Sequence, residues 1–79
     1  MAAKRDPRQF PAAGDVLSGR SEGAKRVIVR RVVSVTPGIK SDIATEVHYL
    51  TQEDHKGHCF LRNWRKWAKE ARITHWGKS

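Results

Sequence analysis

AKRVIVRRVVSV, residues 24–35, carries six β-branched aliphatic side chains in twelve positions and neither glycine nor proline. Such side chains are stiff at χ1 and pack well on a pleated, half-buried surface, so the segment is expected to be a strand. Its odd positions place Val27, Val29, Val33 and Val35 on one face, but Arg31 falls among them. A bulge or sharp bend near Arg30 and Arg31 would remove that conflict, since an extra residue re-aims the side chains that follow it.

Working outward, ATEVHYLT (residues 44–51) alternates, with Thr45, Val47, Tyr49 and Thr51 sharing a face. Short strands are expected at residues 15–17 and 58–60, which brings the count to four. Turn chemistry separates them in GDVLSG, SEGAK, TPGIKSD and EDHKG. Pro37 and Gly38 suit the centre of a type II turn, Gly57 suits a left-handed position closing a hairpin, and Gly19 and Gly23 bracket another reversal. KRDPRQFP has no periodicity, and Pro7 and Pro11 disfavour helix at the residues before them. Residues 1–12 are therefore expected to form a flexible basic arm, with Phe10 as its docking point.

FLRNWRKWAKEAR, residues 60–72, has helical periodicity. At about 100° per residue, Leu61, Trp64, Trp67, Ala68 and Ala71 occupy one arc of about 120°. Arg62, Arg65, Lys66, Lys69 and Arg72 occupy the neighbouring arc of about 120°. This predicts a helix over about 62–72 with one apolar and one basic flank, and with Asn63 as a possible N-cap. Phase assigns Trp64 and Trp67 to the core rather than to base stacking, and Tyr49 joins them with its hydroxyl at the rim. Arg62 and Arg65 run against the helix dipole, which points to a selection other than helix stability. In the tail, residues 74–79, Trp76 is either a free aromatic contact or a clasp over the core.

Composition narrows the function. Seventy-nine residues make a single domain, expected over 13–73, near the size at which a core alone barely holds a fold. Sixteen Lys and Arg against eight Asp and Glu give a formal charge of +8, which favours a polyanionic or acidic partner. The charge is concentrated: residues 1–12 carry +2, 26–35 carry +3 and 58–79 carry +5, while 36–57 carry −2. A single cysteine, Cys59, fits a reducing compartment. With no signal-peptide run and no apolar span, a cytoplasmic location without membrane contact is expected.

Several chemistries fit the residues poorly. His48, His55, His58 and Cys59 lack the two closely spaced ligand pairs of a structural zinc site, and alternation sends His58 and Cys59 to opposite faces. No glycine-framed elbow surrounds Cys59, carboxylates are few, and no phosphate-cradling glycine loop is present. The expectation is a protein that is not an enzyme and that uses neither metal nor cofactor.

In order, PAAGDVLSG, RVIVRRVVSV, TEVHYLT and FLRNWRKWA resemble small phage and prophage proteins with an SH3-like barrel. In these a G-D-V opening strand precedes a bent hairpin and a closing aromatic segment. The resemblance spans residues 11–71, about three quarters of the chain, and no site residue is carried over from it. The expected fold is α+β: a small bent antiparallel sheet or SH3-like barrel of about four strands, one C-terminal amphipathic helix and a disordered N-terminal arm. By analogy with phage proteins that grip host machinery, the expected function is a basic, monomeric binding module acting in the host cytoplasm. It would regulate a nucleic-acid process such as transcription by binding nucleic acid or RNA polymerase through Arg30, Arg31, Arg62, Arg65, Lys66, Lys69 and Arg72. The rival is an inhibitor that docks on an acidic surface of a host enzyme without touching nucleic acid.

Overall fold

In the computed structural model, which describes residues 5–20, 26–39 and 44–77, the β-branched run becomes β2 (Ile28–Thr36), the centre of one antiparallel sheet. β1 (Val16–Gly19) pairs with one side of β2 and β3 (Glu46–Thr51) with the other, and β4 (Lys56–Phe60) lies beside β3. The chain then forms α1 (Leu61–Ala68), which packs against β1, β3 and β4, and returns as β5 (Arg72–His75) beside β1. The order is β4-β3-β2-β1-β5, five strands where four were expected. The sheet is open, because among the described residues no ladder joins the edge strands β4 and β5, so the closed barrel is not formed. The chain between those edges is used for α1 and its exit, whose Leu61, Trp64, Ala68 and Ala71 fill the concave face.

The odd-numbered face of β2 does not stay together: it lies away from the core before the register slip and on the core after it. Val32 is buried at 2% exposure, whereas Val27 and Val33, from the odd-numbered valine face, are 45% and 50% exposed. Register slips between Val32 and Ser34 rather than at Arg30 and Arg31, and the slip brings Val35 opposite the buried Val47. One bulge therefore keeps Val32 and Val35 both on the core. It also leaves Arg30, opposite Leu17 in β1, at the end of the core face.

Gly57 does not take the left-handed turn position. That conformation belongs to Asp54 (φ 60°), while Gly57 lies within β4 opposite Tyr49. A Cβ at Gly57 would stand 2.6 Å from Tyr49 Cε1, so glycine is needed there because the tyrosine ring lies across it.

The helix begins at Leu61 and ends at Ala68, shorter than the expected 62–72. Asn63 is not its cap: Phe60 occupies that position without a side-chain bond, and the Leu61 N–H donates to the Thr45 carbonyl at 2.8 Å. Residues 72–75 leave the helix because Ile73 finds a cross-strand partner in Leu17. Trp64 is fully buried, and its indole N–H donates to the Pro7 carbonyl at 3.0 Å.

Through that bond the N-terminal segment, from Arg5 onward, packs against the domain instead of extending as an arm. Pro7 and Pro11 are buried, whereas Phe10, the expected docking point, is 62% exposed. Arg5 grips the buried Asp15 with both Nη atoms, at 2.6 and 2.8 Å, and donates further to the Phe10 and Gly77 carbonyls. The Asp15 carboxylate also accepts from the backbone N–H groups of Ala12 at 2.7 Å and Gly77 at 2.6 Å. Burial pushes the Asp15 carboxyl up, but the hydrogen bonds from Arg5, Ala12 and Gly77 and the Arg5 charge outweigh it, leaving it below its ordinary range. Trp76 acts as the clasp, donating its indole N–H to the Arg5 carbonyl at 3.1 Å. Residues 5–12 and 72–77 thus belong to the domain, tied together at Asp15.

Candidate functional site

Arg30 is a cation at the end of an apolar strand face, and the fold accommodates it by stacking. Its guanidinium carbon lies 4.5 Å from the centroid of the Tyr49 ring and 4.3 Å from that of Trp67. Such stacking is favourable because the ring faces are electron-rich. Tyr49 is placed by its position across Gly57, and Trp67 by its contact with the Trp64 ring, 5.2 Å away, and by the close approach of Gly19.

Arg30, Tyr49 and Trp67 line an open cleft of about 520 Å³ between α1 and the sheet. Arg20, Arg30, Lys66 and Lys69 line it with Tyr49, Cys59, Asn63 and Trp67, and among the described residues Glu70 is its single acid. Among the described residues, Arg30 Nε and the Trp67 indole Nε1 are buried without a hydrogen-bond acceptor. Burial pushes the Cys59 thiol up and the Arg30 charge only partly opposes this, so the thiol is held in its neutral form at neutral pH.

The seven cations singled out in the sequence do not form one surface. Arg30, Lys66 and Lys69 meet in the cleft. Arg72 lies in an adjoining depression that shares Arg20, Trp67 and Glu70 with it, so the two make a continuous concave strip. Arg65 points to the other flank of α1, where its Nε donates to the Gln9 carbonyl at 2.9 Å and its guanidinium lies 5.3 Å from the Phe10 ring centroid. Arg62 is exposed on α1 outside the lining of the cleft. Arg31 is exposed and, with no bulge between it and Arg30, projects from the opposite side of the sheet.

Sequence reasoning missed Arg20, because nothing local says that the residue after β1 faces the helix. It placed Tyr49 and Trp67 in the core, but both are only half-buried and serve core and cleft together. The signal that could have found them is Arg30 itself: once Val32 is known to be inside, an arginine two residues away needs aromatic company.

On the opposite side of the sheet the His48 and His58 rings stand 5.7 Å apart, next to Val33, Leu50 and Lys56. Among the described residues no three His, Cys, Asp or Glu side chains gather, and no helix is long and apolar enough to cross a membrane. Compared with known protein families, curated proteins and solved structures, the chain matches none.

Proposed function

We propose that this protein is a small binding module for single-stranded nucleic acid that regulates a nucleic-acid process such as transcription. One observation carries the reading: four cations, Arg20, Arg30, Lys66 and Lys69, line one cleft together with the aromatic rings of Tyr49 and Trp67. A duplex is read by an element that protrudes into its groove. Here the cations ring a concavity, which suits a flexible strand bearing phosphates. The phage-type resemblance belongs to the same proposal, supported by the four-strand meander and the fifth strand returned to β1.

Fluorescence anisotropy with single- and double-stranded DNA and RNA, titrated across salt, tests it. Four phosphates neutralised on a single strand give a log–log salt slope of about −3, a loss of about 50-fold in affinity between about 50 and 200 mM salt. Reversing charge at Arg20, Lys66 and Lys69 together is expected to abolish binding, whereas Arg31→Ala, on the far side of the sheet, leaves it unchanged. Wild-type affinity in the triple variant sinks the proposal. Absence of binding at any salt, with a discrete protein partner captured after nuclease treatment, gives the role to an acidic protein surface instead.

A further inference from the structure

The face of the sheet turned away from the cleft holds a pair of side chains that the strand-binding reading does not use. His48 and His58 stand directly opposite each other in the β3–β4 ladder. Val47 and Cys59, their neighbours along the strands, pack on the core side, so alternation sends both imidazoles to the far side. Directly opposed residues have Cβ atoms about 4.5–5.5 Å apart, which brings the two rings together without help from any loop. The backbone beneath them is held by packing, since Val47 is fully buried and the Tyr49 ring lies across Gly57.

The ring centroids are 5.7 Å apart and the planes are inclined by 31°. Two imidazoles that share one ion, each with a nitrogen about 2.0–2.1 Å from it, have centroids about 5–6 Å apart. Among the described residues neither ring is hydrogen-bonded or paired with a carboxylate, in contrast to His55, whose Nδ1 lies 3.9 Å from Glu53 Oε2.

We propose that His48 and His58 form an open site for one divalent transition-metal ion of the imidazole-preferring class, Cu²⁺, Ni²⁺ or Zn²⁺, on the face of the sheet opposite the cleft. Imidazole nitrogen suits these ions, whereas Mg²⁺ and Ca²⁺ take oxygen ligands. Two protein ligands leave positions for water or for a group on a partner, unlike the closed four-ligand site that the sequence argued against. An open depression of about 480 Å³, lined by the pair with Val33, Ser34, Leu50 and Lys56, has room for them. Of the charges on this face, Glu46 lies two residues before His48, while Lys56 and Arg31 are exposed and have long stems that carry their charge into water. β4 is an edge of the sheet with β3 as its neighbour, so an ion shared between the two strands also pins that edge.

Isothermal titration calorimetry of the full chain with each metal, in a buffer that does not chelate, tests the site. Saturable binding of one ion per chain is expected for the three transition metals, tightest for Cu²⁺, and none for Mg²⁺. His48→Ala and His58→Ala are each expected to weaken Zn²⁺ binding at least about tenfold, since loss of a group that only supports a ligand already costs about 10–100-fold. His55→Ala and His75→Ala are expected to leave it unchanged. Zn²⁺ is also expected to raise the thermal midpoint of the wild type but not of either pair variant. In NMR spectra of the wild type it should shift the ring signals of His48 and His58 ahead of those of His55 and His75. Should an alanine variant lose its fold by circular dichroism, those ring shifts decide the question.

Absence of saturable Zn²⁺ binding to the wild type overturns the site. Binding that survives both single substitutions, or that is lost with Cys59→Ser or His55→Ala instead, overturns it as well. None of these results bears on the strand-binding reading, which is read by anisotropy of nucleic acid on the other face.

Discussion

The Asp15 network makes the sharpest stability prediction, through Asp15→Asn. The wild-type carboxylate is fully buried and receives four N–H donors, two from Arg5 and one each from Ala12 and Gly77, at 2.6–2.8 Å. An amide keeps the shape but turns an NH₂ toward donors at one of the two oxygen positions and leaves Arg5 without its charge partner. Breaking a buried ion pair from one side costs about 3–5 kcal/mol. Because Arg5 is itself 21% exposed and can regain water, the lower end, about 3 kcal/mol, is expected. For a chain of this length total stability is about 4–12 kcal/mol, so the loss is a large fraction of it. Thermal unfolding should move down by about 12–24 °C.

The pH dependence gives an independent check on the same network. Asp15 is held below the ordinary carboxylate range, so its contribution is complete above the unfolded value near pH 4 and is lost as pH falls through the lower folded value. Urea titrations of wild type and variant at pH 7 and at steps down to about pH 2 are therefore expected to converge in acid. A difference under about 0.5 kcal/mol at pH 7, or one that stays constant into acid, refutes the reasoning.

Gly57→Ala is expected to cost about 1–3 kcal/mol by driving a methyl into the Tyr49 ring. It should also weaken strand binding by loosening the Arg30 stack, read by urea titration and anisotropy together. Trp64→Phe removes the donor to the buried Pro7 carbonyl and should lower the unfolding free energy by about 1–3 kcal/mol, with faster hydrogen exchange in residues 5–12 as its signature. Cys59 alkylation is expected to be slower near neutral pH than that of an exposed thiol, with its rate rising at higher pH, because burial pushes the thiol up. A rate profile like that of free cysteine would contradict the burial drawn for it.

What the sequence revealed depended on the range of the interaction concerned. Strand propensity in residues 28–36 and alternation in residues 46–51 are local, and both strands form. The helical phase of Leu61, Trp64 and Ala68 is also local, and all three are buried. The phase of β2 was not legible, because valines occupy both of its faces and only the slip between Val32 and Ser34 decides which is covered. The packed arm was hidden for a different reason. Its stability comes from partners 10 to 72 residues away along the chain, among them Asp15, Trp64, Ala71 and Gly77, while its own composition is that of a solvated tail. Of the cleft, the sequence exposed Arg30, Lys66 and Lys69 as charges, but their convergence with Arg20 requires the crossing of α1 over the sheet.

That crossing has to be held from outside the helix. Eight residues are marginal as an isolated helix. α1 has no side-chain cap, no acid in its first turn, and an arginine there against the dipole. Its position is secured by the N-terminal segment on one flank: Trp64 bonds Pro7, Arg65 bonds Gln9, and Arg8 reaches the Ala71 carbonyl at 2.8 Å. The cleft lies on the opposite flank, where Trp67 meets Arg30. The width of the cleft is therefore set by residues that never touch it, and the Asp15 network that anchors the same segment is part of the site's rigidity. A domain this small cannot separate its scaffold from its site: Trp67 both packs against the core and lines the cleft.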